Sequence, residues 1–181
     1  MKTARLPELP ACTVRTAIRR IKKFKPTTPE EFYCAGVPLD NKTADAGVFR
    51  EAVKACNLPL CVKFPLLAGK MTKNGNDDYH EGRWHTTTEI KRIERFSKFP
   101  FMRKYLPKIY YHDRKSGVLV MRWYDKFEDE FVGYCSLGNM VADLMYRLTG
   151  VKTLDIHGGN TRTSNPRKGE KGHTVLIDMG Y

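Results

Sequence analysis

The sequence predicts an α+β fold arranged in two lobes. The chain has 181 residues, of which 41% are hydrophobic and 11% aromatic, which suits one domain or two small lobes. Segments typical of strands and helices follow in the order strand, strand, helix, strand, strand, helix, turn and short hairpin, a plan typical of α+β proteins. We therefore divide the chain into a basic helical extension (1–30), a strand-rich first lobe (31–124) and a minimal second lobe (125–181).

Residues 13–26 predict an amphipathic helix with a strongly basic surface, which Pro26 ends. Its apolar residues recur every three or four positions, as on one helix face: Val14, Ile18, Ile21 and Phe24. Two interpretations fit this pattern. The helix packs on the core through its apolar face, or its basic face binds nucleic acid or an acidic partner.

Four segments predict β-strands in two pairs, each pair joined by a short turn. They are residues 47–55 and 58–67, then 108–113 and 117–124. No internal repeat accompanies them.

Two segments predict helices. Residues 86–99 follow a polar loop over 70–85 and begin with a threonine cap. Residues 136–150 form the second helix, which Gly150 ends. The inward face predicted for this second helix consists of Met140, Leu144, Met145 and Leu148.

Residues 154–160, "LDIHGGN", place polar side chains beside two consecutive glycines, which permit unusual backbone angles. Asp155 and Asn160 lie in this segment, and Asp178 follows the apolar run near the end of the chain. Carboxylate and amide oxygens suit magnesium and phosphate chemistry. Each residue alone is also an ordinary turn residue, so the combination carries the hypothesis.

The spacing of "DIHGGN", together with "IDMG" at 177–180, resembles the protein-kinase-like superfamily, in particular aminoglycoside-phosphotransferase-type and bacteriophage-encoded kinases. The resemblance implies a two-lobed kinase-like fold that binds ATP and Mg²⁺. It implies that Asp155 is the catalytic base, that Asn160 and Asp178 hold Mg²⁺, and that Gly180 lets the backbone turn.

Lys63 lies on an otherwise apolar strand, where an anion must offset the loss of its solvation. It resembles the lysine that holds the α- and β-phosphates in this superfamily. Cys61, two residues earlier, faces the same side of the strand and would cover the adenine. The alternative for Lys63 is an edge-strand residue that reaches water.

The partner of this lysine in the superfamily is a helix glutamate, for which Glu89 and Glu94 are the candidates. Glu89 precedes Ile93 by four residues and Phe96 by seven, which places it on the apolar face. Glu94 is rotated by about 100° from Ile93. The helix phase therefore favours Glu89 as the partner, and the resemblance implies that Lys63 and Glu89 are catalytic residues together with Asp155.

Residues 117–124 resemble the strand that leads to the adenine-binding segment. Met121 would lie beside adenine, and the backbone from Arg122 to Tyr124, including Trp123, would bond it. A plain core role for Met121 is equally compatible with the pattern.

Two features depart from the superfamily. The segment in place of its glycine-rich loop, 39–53, contains only Gly47, so we expect fewer backbone contacts to phosphate. The chain also ends at Tyr181, directly after "DMG", from which we expect a truncated second lobe without a peptide-docking platform.

The net charge of +12 favours an anionic partner. The five scattered cysteines suggest a reducing cytoplasm, and no apolar run is long enough to span a membrane.

The leading hypothesis is an ATP-dependent phosphotransferase that modifies a hydroxyl, on a host protein if the chain is encoded by a phage. The alternative is a non-catalytic pseudokinase-like protein that inhibits a host protein or nucleic acid through its basic surface. A third hypothesis is RNA binding through the basic helix and residues 161–173, although aromatic residues are not interleaved with these charges.

Overall fold

The computed structural model describes residues 12–46, 50–66, 78–124, 133–150, 161–163 and 174–177. The described residues form helices and two antiparallel sheets, so the predicted α+β class is confirmed. In chain order the elements are α1 (Val14–Phe24), α2 (Pro29–Cys34), β1 (Leu39–Ala46), β2 (Arg50–Ala55), β3 (Leu60–Pro65), α3 (Asp78–Phe96), a 3-10 helix (Pro100–Tyr105), β4 (Ile109–Asp113), β5 (Val118–Arg122), α4 (Gly133–Thr149), β6 (Thr161–Thr163) and β7 (Thr174–Leu176).

A five-stranded antiparallel sheet in the order β1-β2-β3-β5-β4 forms the larger layer. Strand β3 lies at its centre, and all six of its residues are buried. Because side chains alternate along a strand, Val62 and Phe64 face one side of the sheet, whereas Cys61 and Lys63 face the other. Strands β6 and β7 form the predicted short hairpin.

Helices α1 and α2 cover the first face of the sheet. Ala17 and Ile21 of α1 and Phe32 of α2 are fully buried in one cluster with Val62 and Phe64. The predicted helix thus packs on the core. One residue of its predicted apolar face is wrong, because the phenyl ring of Phe24, the last helical residue, is 59% exposed.

Helix α3 covers the second face and packs against β3 and β5. It begins at Asp78, so the loop predicted over 70–85 is wrong from that residue onward, and Thr86 is an internal helical residue rather than a cap. Thr86 is fully buried, and its hydroxyl donates to the carbonyl oxygen of Gly117 at 2.8 Å. Packing against the sheet stabilises a helix in residues that composition alone assigns to a loop.

Three elements were not predicted. Strand β1 is a polar edge strand that pairs with β2 across an irregular register. Helix α2 is a single short segment, with the Thr28 hydroxyl accepting from the Glu31 amide at its start. The 3-10 helix that follows α3 buries Met102. All three are short or polar, and apolar periodicity is weak in such segments.

The predicted inward face of α4 is largely wrong. Met145 is fully buried and Val141 is 2% exposed, in a cluster with Ile93 and Phe96 of α3. The other three residues predicted to face inward are all exposed: Met140, Leu144 and Leu148. Across the helices that are described, none combines the length and apolar character needed to cross a bilayer.

Candidate functional site

Lys63 is held in the middle of the sheet. It lies on β3, which has neighbours on both sides, and only 5% of the residue is exposed. The alternative of an edge-strand lysine is therefore wrong. The apolar residues on both sides of Lys63 form a strand that is buried on both faces, and this leaves the ammonium group dependent on a local anion.

That anion is the carboxylate of Glu89 on α3, which is fully buried. The Nζ atom of Lys63 donates to Oε1 at 3.1 Å and to Oε2 at 3.3 Å. Glu94 instead points outward, and its carboxylate lies 3.4 Å from the guanidinium of Arg114. Of the two glutamates weighed from the helix phase, the structure pairs Glu89 with the lysine.

A third charged residue, Arg50, joins this pair and was not predicted. Arg50 begins β2, is 8% exposed, and donates from Nη1 to Oε2 of Glu89 at 2.6 Å. Ala52 pairs with Lys63 across the sheet, so Arg50, two residues before Ala52, shares the face of Lys63. The strand register was needed to find it. We call Arg50, Lys63 and Glu89 the Glu89 cluster.

The charges of the cluster depend on one another. Burial raises the pKa of Glu89, but the charges of Lys63 and Arg50 and their hydrogen bonds outweigh burial and lower it from 4.5 to about 2. Burial lowers the pKa of Lys63; the charge of Glu89 opposes this effect and that of Arg50 adds to it. The carboxylate is therefore ionised at neutral pH and holds two cations together.

A cavity of about 470 Å³ lies beside the cluster. Its wall includes Lys63, Ala52 and residues 42–44 of β1. The other residues predicted to bind a cofactor and present in the described ranges also line it: Cys61, Met121 and Trp123. The structure thus brings these residues together around one space, and their role in binding stays a prediction. Gly47 lies outside the described residues.

Met121 belongs to both the core and the cavity wall. It is 2% exposed and packs in a cluster with Cys61, Ile90 and Leu119. Its thioether therefore serves the core and also closes one side of the cavity.

Part of the backbone after Met121 is hydrogen-bonded within the sheet. The amide of Arg122 donates to the carbonyl oxygen of Lys108, and the amide of Trp123 donates to that of Pro59, both at 2.9 Å. These two donors hold the sheet together and do not point to a ligand. Adenine binding by the backbone of residues 122–124 would therefore use carbonyl oxygens or the amide of Tyr124.

Asp155, Asn160, Asp178 and Gly180 lie outside the described residues. The hairpin β6–β7 begins directly after Asn160, and its Val175 packs in the cluster that contains Met121. Ile177, the residue before Asp178 in the sequence, lines the cavity. Within the ranges that the structure describes, no group of three His, Cys, Asp or Glu side chains could hold a metal ion.

Comparison with known proteins finds a likeness to solved structures. No protein-family model and no curated protein sequence matches the chain. Among solved structures, the chain is similar to the Rio2 kinase of Chaetomium thermophilum, with a TM-score of 0.54 and 13% identity. The match covers 78% of this chain and 47% of the Rio2 chain, so the chain corresponds to about half the length of that kinase.

At this identity the likeness bears on the fold alone. The chain has a protein-kinase-like fold.

Proposed function

We propose that the chain is a kinase-like phosphotransferase that binds ATP with Mg²⁺ and transfers the γ-phosphate to a hydroxyl group. The observation that carries this proposal is the buried ion pair of Lys63 and Glu89 on a kinase-like sheet, in which Lys63 lines the cavity and Glu89 lies behind it. A buried lysine fixed by a carboxylate at the edge of a cavity is a ready binding group for phosphate.

The cavity suits a nucleotide in size and chemistry. Ligand sites commonly have volumes of about 300 to 1,000 Å³ and mostly apolar walls. Cys61 and Met121 supply apolar surface for a purine, and Lys63 supplies positive charge for the phosphates. The Rio2 structure is described as a complex with ADP, Mg²⁺ and phosphoaspartate, which supports the choice of nucleotide.

The proposed roles of the other residues follow from the motifs. Asn160 and Asp178 would hold Mg²⁺, and the position of Ile177 in the cavity wall supports this for Asp178, because consecutive Cα atoms are about 3.8 Å apart. Bound Mg²⁺ would neutralise phosphate charge. Gly47 would lie in the segment that covers the phosphates.

The residues of the chain would share the work of transfer. Lys63, oriented by Glu89, would hold the α- and β-phosphates. Asp155 would accept the proton of the acceptor hydroxyl. The oxygen of that hydroxyl would form a bond to the γ-phosphorus while the bond from the γ-phosphorus to the β–γ bridging oxygen breaks. The products would be the phosphorylated acceptor and ADP.

We place this chemistry between a first lobe of residues 31–124 and a minimal second lobe of residues 125–181, with residues 1–30 as an extension. The acceptor that we propose is a hydroxyl group of another protein. The net charge of +12 on this chain would attract an acceptor protein with an acidic surface.

The test is incubation of the chain with ATP labelled at the γ-phosphate and a cell lysate. We expect label on a protein band with the wild type and about 10²- to 10⁴-fold less with Asp155→Asn, because the amide cannot accept the proton. Nucleotide binding should be retained by this variant. Equal labelling by both proteins would contradict the role of Asp155 as the base, and ATP binding without transfer would leave the non-catalytic interaction protein as the better hypothesis.

A further inference from the structure

Arg50 is the charged residue of the Glu89 cluster that the proposed mechanism does not use. Its side chain is buried between the sheet and α3, although arginine is among the residue types that are seldom fully buried without a specific partner. It also lies within residues 39–53, the segment that takes the place of the glycine-rich loop. The position and burial of Arg50 make it a candidate for a function in the proposed site.

The geometry divides Glu89 between the two cations. Arg50 binds Oε2 at 2.6 Å, which is shorter than either bond from Lys63 to the same carboxylate, 3.1 and 3.3 Å. Both residues lie on strands, but a planar guanidinium holds a carboxylate in a more defined geometry than an ammonium on a flexible four-carbon stem. The shorter bond and the planar group would thus give Arg50 the larger share in fixing the carboxylate that Lys63 contacts through both oxygens.

The cavity indicates how Arg50 would act on a ligand. Among the described residues that form the cavity wall, Lys63 is present and Arg50 is not. The route from Arg50 to a bound phosphate thus passes through Glu89 and Lys63.

We propose that Arg50 is a positioning residue, which anchors Glu89 so that the ammonium group of Lys63 is held at the cavity wall for the phosphates. This inference rests on the proposed nucleotide site and adds to it a residue outside the expected lysine and glutamate.

The experiment is a double-mutant cycle on Arg50 and Lys63, in which the affinities for Mg-ATP and for adenosine are measured by calorimetry. Arg50→Met should weaken ATP binding roughly tenfold, as expected for coupled neighbours, and should leave adenosine binding unchanged. In the Lys63→Met background, Arg50→Met should change ATP affinity by less than about twofold, because the group through which it acts is gone.

Two further variants serve as controls. Arg114→Met removes an arginine that pairs with Glu94, a residue of the helix that also carries Glu89. Because Arg114 lies outside the Glu89 cluster, the affinities for Mg-ATP and for adenosine should stay unchanged. Arg50→Lys retains the positive charge beside Glu89 and is the variant to use if Arg50→Met does not fold. It should bind ATP with intermediate affinity, and its effect should also vanish in the Lys63→Met background.

The outcomes separate the hypotheses. A loss of ATP affinity of the same size in both backgrounds would mean that Arg50 contacts phosphate directly and would overturn the proposal. Unchanged ATP affinity in a folded Arg50→Met protein would show a merely structural ion pair and would overturn it as well. Absence of ATP binding by the wild type would instead remove the proposed nucleotide site itself.

Discussion

Two glutamates of α3 form ion pairs in opposite environments. Glu89 is fully buried and is bound by Lys63 and Arg50 at 2.6 to 3.3 Å. Glu94, five residues later, is paired with Arg114 at 3.4 Å, and the two side chains are 56% and 47% exposed. Side chains five residues apart on an α-helix point in directions that differ by about 140° around the helix axis. Helix phase alone thus separates a buried charge cluster from a surface pair.

The difference in burial decides what each pair contributes. Removal of one partner of a buried pair leaves an uncompensated charge in the interior, whereas an exposed pair competes with water and salt. We therefore expect the Glu89 cluster to control both stability and ligand binding, and the Glu94 pair to control neither.

The largest expected effect is on stability. Glu89→Ala leaves Lys63 and Arg50 without their shared carboxylate and should lower the free energy of unfolding by about 3 to 5 kcal/mol. Glu94→Ala should lower it by less than about 1 kcal/mol. Urea unfolding of the two variants measures both values. Similar losses from the two substitutions would contradict the assigned helix phase.

The next effect is a dependence on pH. The pKa of Glu89 is lowered from 4.5 to about 2 in the folded protein, so its ionisation adds stability above pH 4.5 that is lost as the pH falls toward 2. Linkage gives about 3 kcal/mol for this shift.

Glu89→Gln cannot ionise and therefore isolates this contribution. The difference in unfolding free energy between wild type and Glu89→Gln should shrink by about 3 kcal/mol between pH 5 and pH 2. A difference that stays constant over this range would show that the carboxylate is not stabilised by its two cations.

The smallest effect belongs to the surface pair. A double-mutant cycle with Glu94→Ala and Arg114→Ala should give a coupling of about 0.2 to 1 kcal/mol, which 1 M salt should remove because exposed charges are screened. The same salt should leave the difference between wild type and Glu89→Gln nearly unchanged at pH 7. A salt-resistant coupling in the surface pair would contradict the contrast between Glu89 and Glu94.

The pairing of Lys63 with Glu89 could be predicted because each residue has a signal in the sequence itself. Lys63 interrupts an apolar strand, and Glu89 shares a helix face with Ile93, so each stands out in the sequence before any tertiary contact is known. The α+β class follows in the same way from the order of periodic segments.

The features that were missed depend on tertiary structure. Arg50 belongs to the site only through the register of β2 with β3, which determines the face that it shares with Lys63. The prediction of the inward face of α4 was wrong because apolar residues occur on all sides of that helix, so periodicity does not single out one face. Of the predicted set, only Met145 is buried. The first two turns of α3 carry polar residues, and packing on the sheet outweighs their local preference.

The central claim is that the Glu89 cluster holds Lys63 for nucleotide phosphates. The most direct test is calorimetric titration of Mg-ATP and adenosine into the wild type and Lys63→Met. We expect the wild type to bind ATP and Lys63→Met to bind it about 10- to 100-fold more weakly, as for a lost hydrogen bond to a charged group, with adenosine affinity unchanged. Equal ATP affinity in the two proteins, or no ATP binding by the wild type at millimolar concentration, would contradict the claim.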